Sequence, residues 1–159
     1  MQAFPAVILL GAGGAARAIA AQCLIDGVST LFIGNRNQER LRDLLAQLAP
    51  VVASAQVIPF DLTASLPEFP EGSLVVNATS LGLKELDPSP MPLDTLSGDC
   101  CVYDATYGVS SNGLQRECRK KGFPYASGIG MLLWQGVKAL EIWTGGAVPA
   151  DVMRDALNL

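Results

Sequence analysis

Two clusters of residues in this 159-residue chain have the types and spacing to hold a phosphorylated ligand. The first, Gly11-Ala-Gly13-Gly14-Ala-Ala16-Arg17, directly follows an apolar run at 6–10 and matches G-x-G-x-x-A. Between a strand and a helix, the first glycine permits a tight turn and the second lets the backbone approach a pyrophosphate seated on the helix N-terminus. A small third residue, here Ala16, allows the helix to pack closely on the strand. The spacing therefore predicts a dinucleotide site, with a merely structural glycine turn as the competing reading. The second cluster is Gly34-Asn35-Arg36-Asn37 with Arg40, after the next apolar run. An NAD site carries an acidic side chain there to accept a hydrogen bond from the ribose hydroxyl. Arg36 can instead pair with the 2′-phosphate of NADP and lay its guanidinium plane against the adenine, while Arg40 can add a second charge from the first helical turn. The pattern favours NADP; the bland alternative is that both arginines are solvated residues at a helix end.

These residues need elements that bring them to one edge of a sheet. Residues 6–10 have the pattern of a strand buried on both faces. Ala16, Ile19, Ala20, Cys23 and Leu24 give the apolar stripe of a following helix that stops near Gly27. Residues 30–33 read as the second strand, and Asn37 as the N-cap of a helix that buries Leu41, Leu44, Leu45 and Leu48 and ends at Pro50. A third, edge-like strand with a proline falls at 56–60 and a fourth at 73–77, with a loop at 82–92. Residues 100–104 form a fifth strand, 114–121 a helix stopped by Gly122, and 123–126 a weaker sixth strand. Two helices, about 131–143 and 150–157, complete the chain. The alternation predicts an α/β, Rossmann-like fold: a doubly wound parallel sheet of about six strands with helices on both faces, one NADP-binding domain over residues 1–159.

Composition removes much other chemistry. Half of the residues are hydrophobic and 16% are charged, which fits a globular chain with a real core and excludes a disordered chain or a coiled coil. Histidine is absent, so an imidazole base, a histidine-dependent triad and a histidine-ligated metal are excluded within this chain. A net charge of −4 without a basic stripe argues against a nucleic-acid partner. The apolar stretch 6–25 is interrupted by Gly11, Gly13, Gly14 and Arg17, unlike a membrane span, and residues 1–6 lack the basic start of a signal peptide. Cys23, Cys100, Cys101 and Cys118 have no CxxC spacing and read as buried free thiols suited to a reducing cytoplasm, with Cys100 and Cys101 facing opposite ways on their strand.

Further motifs occur in a telling order: Asn77-Ala-Thr79-Ser80-Leu-Gly82, Tyr103-Asp104 with Tyr107, then Gly128-Ile-Gly-Met131 with Gln135 and Trp143-Thr-Gly145. Together with the glycine turn and Asn35-Arg36, they resemble the C-terminal NADP-binding domain of the shikimate dehydrogenase family, from residue 7 to about 157. The resemblance implies an oxidoreductase that reversibly reduces 3-dehydroshikimate to shikimate by hydride transfer from NADPH, on the route to aromatic amino acids. It implies that Gly11, Ala12, Gly13, Gly14 and Ala15 hold the pyrophosphate and that Asn35, Arg36, Asn37 and Arg40 hold the adenosine phosphate. Thr79 and Ser80 match the turn that passes the cofactor ribose, although a side-chain-capped turn would use the same residues. Ala105, Gly128 and Met131 match the nicotinamide pocket, and Tyr107 and Gln135 match groups that hydrogen-bond the substrate. Met131 and Gln135, four apart on one helix, can face one cleft, whereas spacing alone would put Met131 in the core.

The family pattern is not matched throughout. Val109 and Asn112 stand where the family usually has proline and threonine, in a Ser110-Ser111-Asn112-Gly113 loop. Asn37 replaces a common threonine and offers a phosphate an amide in place of a hydroxyl. The family's substrate domain, whose lysine and aspartate act on the hydroxyl, has no counterpart upstream of Phe4, so this chain is expected to hold no catalytic residue and to bind NADP without turnover. Lys84, Lys120, Lys121 and Lys138 have no evident acidic partner in a pocket and are not expected to serve. The competing readings are a quinate/shikimate dehydrogenase-like paralogue and a stand-alone, non-catalytic nucleotide-binding or regulatory module.

Overall fold

In the computed structural model, which describes residues 4–52, 54–108 and 111–157, the first apolar run forms β1 (Val7–Leu10), buried along its whole length. A strand buried on both faces must lie in the middle of a sheet, and β1 does. It pairs in parallel with β2 (Thr30–Asn35) on one side and β4 (Leu74–Asn77) on the other. Beyond β2 lies β3 (Gln56–Asp61), and beyond β4 lie β5 (Cys101–Asp104) and β6 (Tyr125–Ser127), giving the all-parallel order β3-β2-β1-β4-β5-β6. The order reverses between β1 and β4, where an open α/β sheet leaves a crevice beyond the strand ends. β3 is an edge strand, so Pro59 removes no ladder bond to a further neighbour.

Alternate residues along the strands feed two cores. Val7, Leu9, Leu31, Ile33 and Val76 pack with Ala16, Ala20 and Leu24 of α1 (Gly14–Ile25) and with Leu41, Leu44 and Leu48 of α2 (Gln38–Leu48). Ile8, Leu10, Phe32, Val75 and Val102 face the other way, against Leu114 and Cys118 of α3 (Gly113–Lys121). Each fully buried leucine contributes about 1.5–3 kcal/mol, so the sheet and its two helix layers form one rigid support for the strand ends. On the second face the connections from β3 to β4 and from β4 to β5 contain no α-helix. Phe69, Met91 and Leu96 from these connections, with Leu93 at the start of a short 3-10 turn, complete that core, and the ring of Phe69 meets Phe32 and Phe60 edge-on at 5.2 and 5.5 Å.

β6 begins later than the sequence pattern suggests, because the Phe123 N–H closes the end of α3 by donating to the Cys118 carbonyl at 3.0 Å, after Gly122 has turned left-handed. α4 (Ile129–Thr144) begins two residues earlier than expected and is followed by α5 (Ala150–Ala156). Leu133 and Val137 of α4 are buried outside both clusters, and Gly136 lies against Met153 of α5. Trp134, Ile142, Trp143 and Val152 of this helical pair are exposed. Cys100 and Cys118 are buried, but Cys23 and Cys101 are only partly so, which corrects the expectation of four buried thiols; all four are free. Among the described residues no helix is long and apolar enough to cross a membrane, and no group of three acidic or thiol side chains could hold a metal. Residues 1–3, Val109 and Ser110 lie outside the described residues, and with them the proline-to-valine departure.

Candidate cofactor-binding site

β1 ends in a turn that only glycine can make. Gly11 has φ +114°, its N–H donates to the Gly34 carbonyl at 2.7 Å, and a Cβ there would stand 2.7 Å from the Ala78 carbonyl oxygen. This turn and the chain leaving β4 therefore touch across the point where strand order reverses. Gly13 is the N-cap of α1 and supplies no side-chain cap, and the first helical turn carries no acidic residue. A Cβ at Gly13 or at Gly14 would meet no protein atom within 4 Å. The unpartnered N–H groups and positive dipole end of α1 therefore face open space, an arrangement that binds anions. Ala16 is completely buried against the sheet, as its place in the motif requires.

The second anion-binding feature stands at the end of β2. Asn37 caps α2, its Oδ1 accepting from the Arg40 N–H at 2.9 Å. Its amide nitrogen is left as the group that can meet a phosphate. Asn35 Nδ2 donates to the Asn37 carbonyl at 2.7 Å, and Gln38 Nε2 donates to the Asn35 carbonyl at 2.9 Å. These bonds fix the backbone from which the exposed Arg36 and Arg40 project. A cavity of about 390 Å³ joins the two features: Gly11, Ala12 and Gly13 line one part, Asn35, Arg36, Asn37 and Arg40 another, and Ala78, Thr79 and Ser80 a third. Gly14 and Ala15 lie just beyond the lining, exposed on the first turn of α1. Leu62, Thr63, Leu81 and Pro90 also line it, and among the described residues no acidic one does.

The turn after β4 satisfies both readings of its sequence. Asn77 Oδ1 accepts from the Thr79 N–H at 3.0 Å and hydroxyl at 2.8 Å; its Nδ2 donates to the Leu81 carbonyl at 2.8 Å. The Leu81 N–H in turn donates to the Thr79 hydroxyl oxygen at 3.1 Å. It is thus a side-chain-capped turn that also lines the cavity. Further on, Asp87 Oδ2 accepts from the Gly82 and Lys84 N–H groups at 3.0 Å each, and these bonds hold its carboxyl below the ordinary range.

A smaller hollow of about 140 Å³ opens at the ends of β5 and β6, lined by Thr106, Tyr107, Asn112, Gln115, Tyr125 and Ser127 among others. Tyr107 is 43% exposed there. Burial first, and then the charge of Asp104, push the Tyr125 hydroxyl far above its ordinary value, so it remains a donor. Ala105 and Gly128 are brought into contact: a Cβ on Gly128 would lie 2.5 Å from the Ala105 carbonyl oxygen. Both are buried and line neither space. Met131, partly buried, and Gln135, exposed, also line neither. The lining ends at Ile129, and six residues of helical rise carry Gln135 about 9 Å further along α4. Two lysines do have acidic partners, Lys121 with Asp94 and Lys138 with Glu141 at 2.7 Å, but no lysine lines either space. Asn112, far from loose, is 3% exposed and caps α3 by accepting from the Gln115 N–H at 2.9 Å. Sequence reasoning assigned no part to Asp104, which sits at the centre of this region, nor to Thr63; an Asp-x-Thr turn at 61–63 was the available sign of the latter.

Residues 128–157 match the model of the shikimate 5′-dehydrogenase C-terminal domain. The NADP(+) shikimate dehydrogenase of Desulforamulus reducens is 40% identical over 154 residues, 95% of this chain and 53% of that protein. Over nearly its whole length the chain is similar to part of a shikimate dehydrogenase. It spans about half the length of the curated relatives it matches. The shikimate 5-dehydrogenase of Listeria monocytogenes, solved with shikimate and NAD, superposes with a TM-score of 0.81 at 27% identity, covering 98% of this chain and 57% of that one. The ligand-free 5-ketofructose reductase of Gluconobacter gives a TM-score of 0.82 at 30% identity, with 98% and 56% covered. Shikimate dehydrogenase architecture thus accommodates the whole sheet and its helices, and the family's C-terminal half is the part this chain resembles.

Proposed function

We propose that this chain is the NADP(H)-binding half of a shikimate dehydrogenase. The observation that carries the reading is that Arg36 and Arg40 line the same cavity as the glycine turn at 11–13, with no acidic residue between them. The residues fit the cofactor. The open N-terminus of α1 suits the pyrophosphate, and the arginine pair suits the 2′-phosphate. Thr79 and Ser80 adjoin the ribose side, Ala105, Gly128 and Met131 are candidates for the nicotinamide side, and Tyr107 and Gln135 for substrate contact. Bound NADP(H) would supply or accept the hydride exchanged with the carbon bearing the substrate hydroxyl.

The chain's own groups bind and orient. Exchange at a hydroxyl-bearing carbon also needs a group that takes the proton, and neither cavity is lined by a lysine or a carboxylate among the described residues. That group is therefore assigned outside these residues. The purified chain should bind NADPH at one site and form none from NADP+ and shikimate. Turnover would show that a proton acceptor lies in the chain, and absence of binding would remove the reading. A cytoplasmic setting fits four cysteines that form no disulfide.

A second reading is favoured by the likeness to 5-ketofructose reductase, which is similar in extent to the likeness to the Listeria enzyme: the same cofactor half serving a different polyol or keto substrate. Comparing the binding of shikimate and of 5-ketofructose to the NADPH-loaded chain separates the two.

A further inference from the structure

Asp104, the last residue of β5, is the one ionisable side chain among the fully buried polar residues, and neither salt bridge of the described residues includes it. An unpartnered buried carboxylate is costly, so it persists only where donors converge on it. Five do. Oδ1 accepts from Asn77 Nδ2 at 2.9 Å and from the Thr106 N–H and hydroxyl at 3.0 and 2.9 Å. Oδ2 accepts from Asn112 Nδ2 at 2.8 Å and the Tyr125 hydroxyl at 3.1 Å. The three nitrogen partners can only donate, so the group serves as an acceptor throughout.

Each partner has a second task at a cavity. Asn77 closes the turn that places Thr79 and Ser80 in the large cavity. Thr106 precedes Tyr107, Asn112 caps α3, and all of these with Tyr125 border the smaller hollow. Gly82, with φ +115°, presses its backbone onto the same cluster: a Cβ there would lie 2.7 Å from Thr106 Oγ1 and 2.9 Å from Asn112 Nδ2. The two spaces therefore share one buried anchor.

We infer that Asp104 is a positioning residue that fixes the turn at 77–82 against the loop carrying Tyr107, and so sets the ribose side of the large cavity relative to the smaller hollow. The inference rests on the NADP reading of the large cavity. Arg36 follows β2 and Arg40 lies on α2, on the far side of β1 from this cluster, and among the described residues neither hydrogen-bonds to any of these partners. A ligand held only by the arginines should not sense the anchor, whereas one that runs past Thr79 should.

The test uses the purified chain with two probes, NADPH and adenosine 2′,5′-bisphosphate, which offers the 2′-phosphate to the arginines and lacks the nicotinamide half. Asp104→Asn keeps the shape but turns an amide N–H₂ toward at least one nitrogen that can only donate. It should weaken NADPH about tenfold or more while the bisphosphate changes by less than about twofold. Tyr125→Phe removes one donor and leaves four, and should give a smaller NADPH loss, about threefold, with the same indifference of the bisphosphate; this variant decides the matter if Asp104→Asn does not fold. Unchanged NADPH affinity in a folded variant, or equal losses for both probes, would overturn the inference. Failure of the unmodified chain to bind either probe would overturn the NADP reading and the inference with it.

Discussion

The Ala78 carbonyl oxygen stands 2.7 Å from where a Cβ on residue 11 would lie, and Gly11 holds φ +114° to allow it. The turn after β1 and the chain after β4 are thereby locked together at the floor of the large cavity. Gly11→Ala would force a left-handed backbone on a residue with a side chain and drive that side chain into a carbonyl. The strain alone costs about 1–3 kcal/mol, so urea or thermal unfolding should show a lowered midpoint together with lost NADPH binding. An unchanged midpoint would contradict the close approach.

Arg36 and Arg40 carry the preference for a 2′-phosphate. Replacing Arg36 with Asp removes a charge-assisted donor and adds repulsion, a loss of about 1.5–3 kcal/mol, or roughly tenfold to a hundredfold in NADPH affinity. Binding of NADH should be left level or improved, since an acidic side chain there can accept from the ribose hydroxyl. Calorimetric titration of both cofactors reads the two effects separately. Parallel losses for NADPH and NADH would place Arg36 outside the phosphate site.

Asp87 makes the turn beneath the cavity sensitive to acid. The Gly82 and Lys84 N–H groups hold its carboxyl below the ordinary value of 3.8. Because the folded value lies below the unfolded one, the stabilisation is complete above the unfolded value and is lost as pH falls through the folded one. Amide exchange at Gly82 and Lys84 should thus be protected at neutral pH and lose that protection at acid pH. Asp87→Asn should remove much of the protection and its pH dependence. Protection that ignores both pH and the substitution would refute the role given to Asp87.

Thiol reactivity should follow burial. Burial pushes the Cys118 thiol up to about 11, and Cys100 is fully enclosed in the same cluster. An alkylating reagent at neutral pH should spare Cys100 and Cys118 in the native chain and label them after denaturation. Rapid native labelling of either would mean that the core around α3 is open.

The sheet was legible because its strands are apolar runs that end at turn residues: 6–10 followed by Gly11, 30–33 by Gly34, and 73–77 by a capping turn. Asn37 and Gly122 announced the ends of their helices through chemistry that acts within a few residues. The glycine turn and the two arginines were legible for the same reason, and the structure brings them to one cavity. What was not legible depends on partners far apart in the chain. Asp104 gathers Asn77, Asn112 and Tyr125 from 27, 8 and 21 residues away, and no local pattern signals such a convergence. Phe69, in a connection without an α-helix, covers one face of the sheet, because a coil can fill a core with one aromatic ring. The pair Met131 and Gln135 was placed by resemblance and four-residue spacing. Spacing fixes the face of a helix that two residues share, but not where that helix is carried relative to the hollow.

The account stands most directly on cofactor choice by the unmodified chain. Titrating it calorimetrically with NADPH and with NADH under one buffer should give single-site binding of NADPH and binding of NADH at least about tenfold weaker, the difference a 2′-phosphate held by arginines confers. Equal affinities, or a preference for NADH, would contradict it.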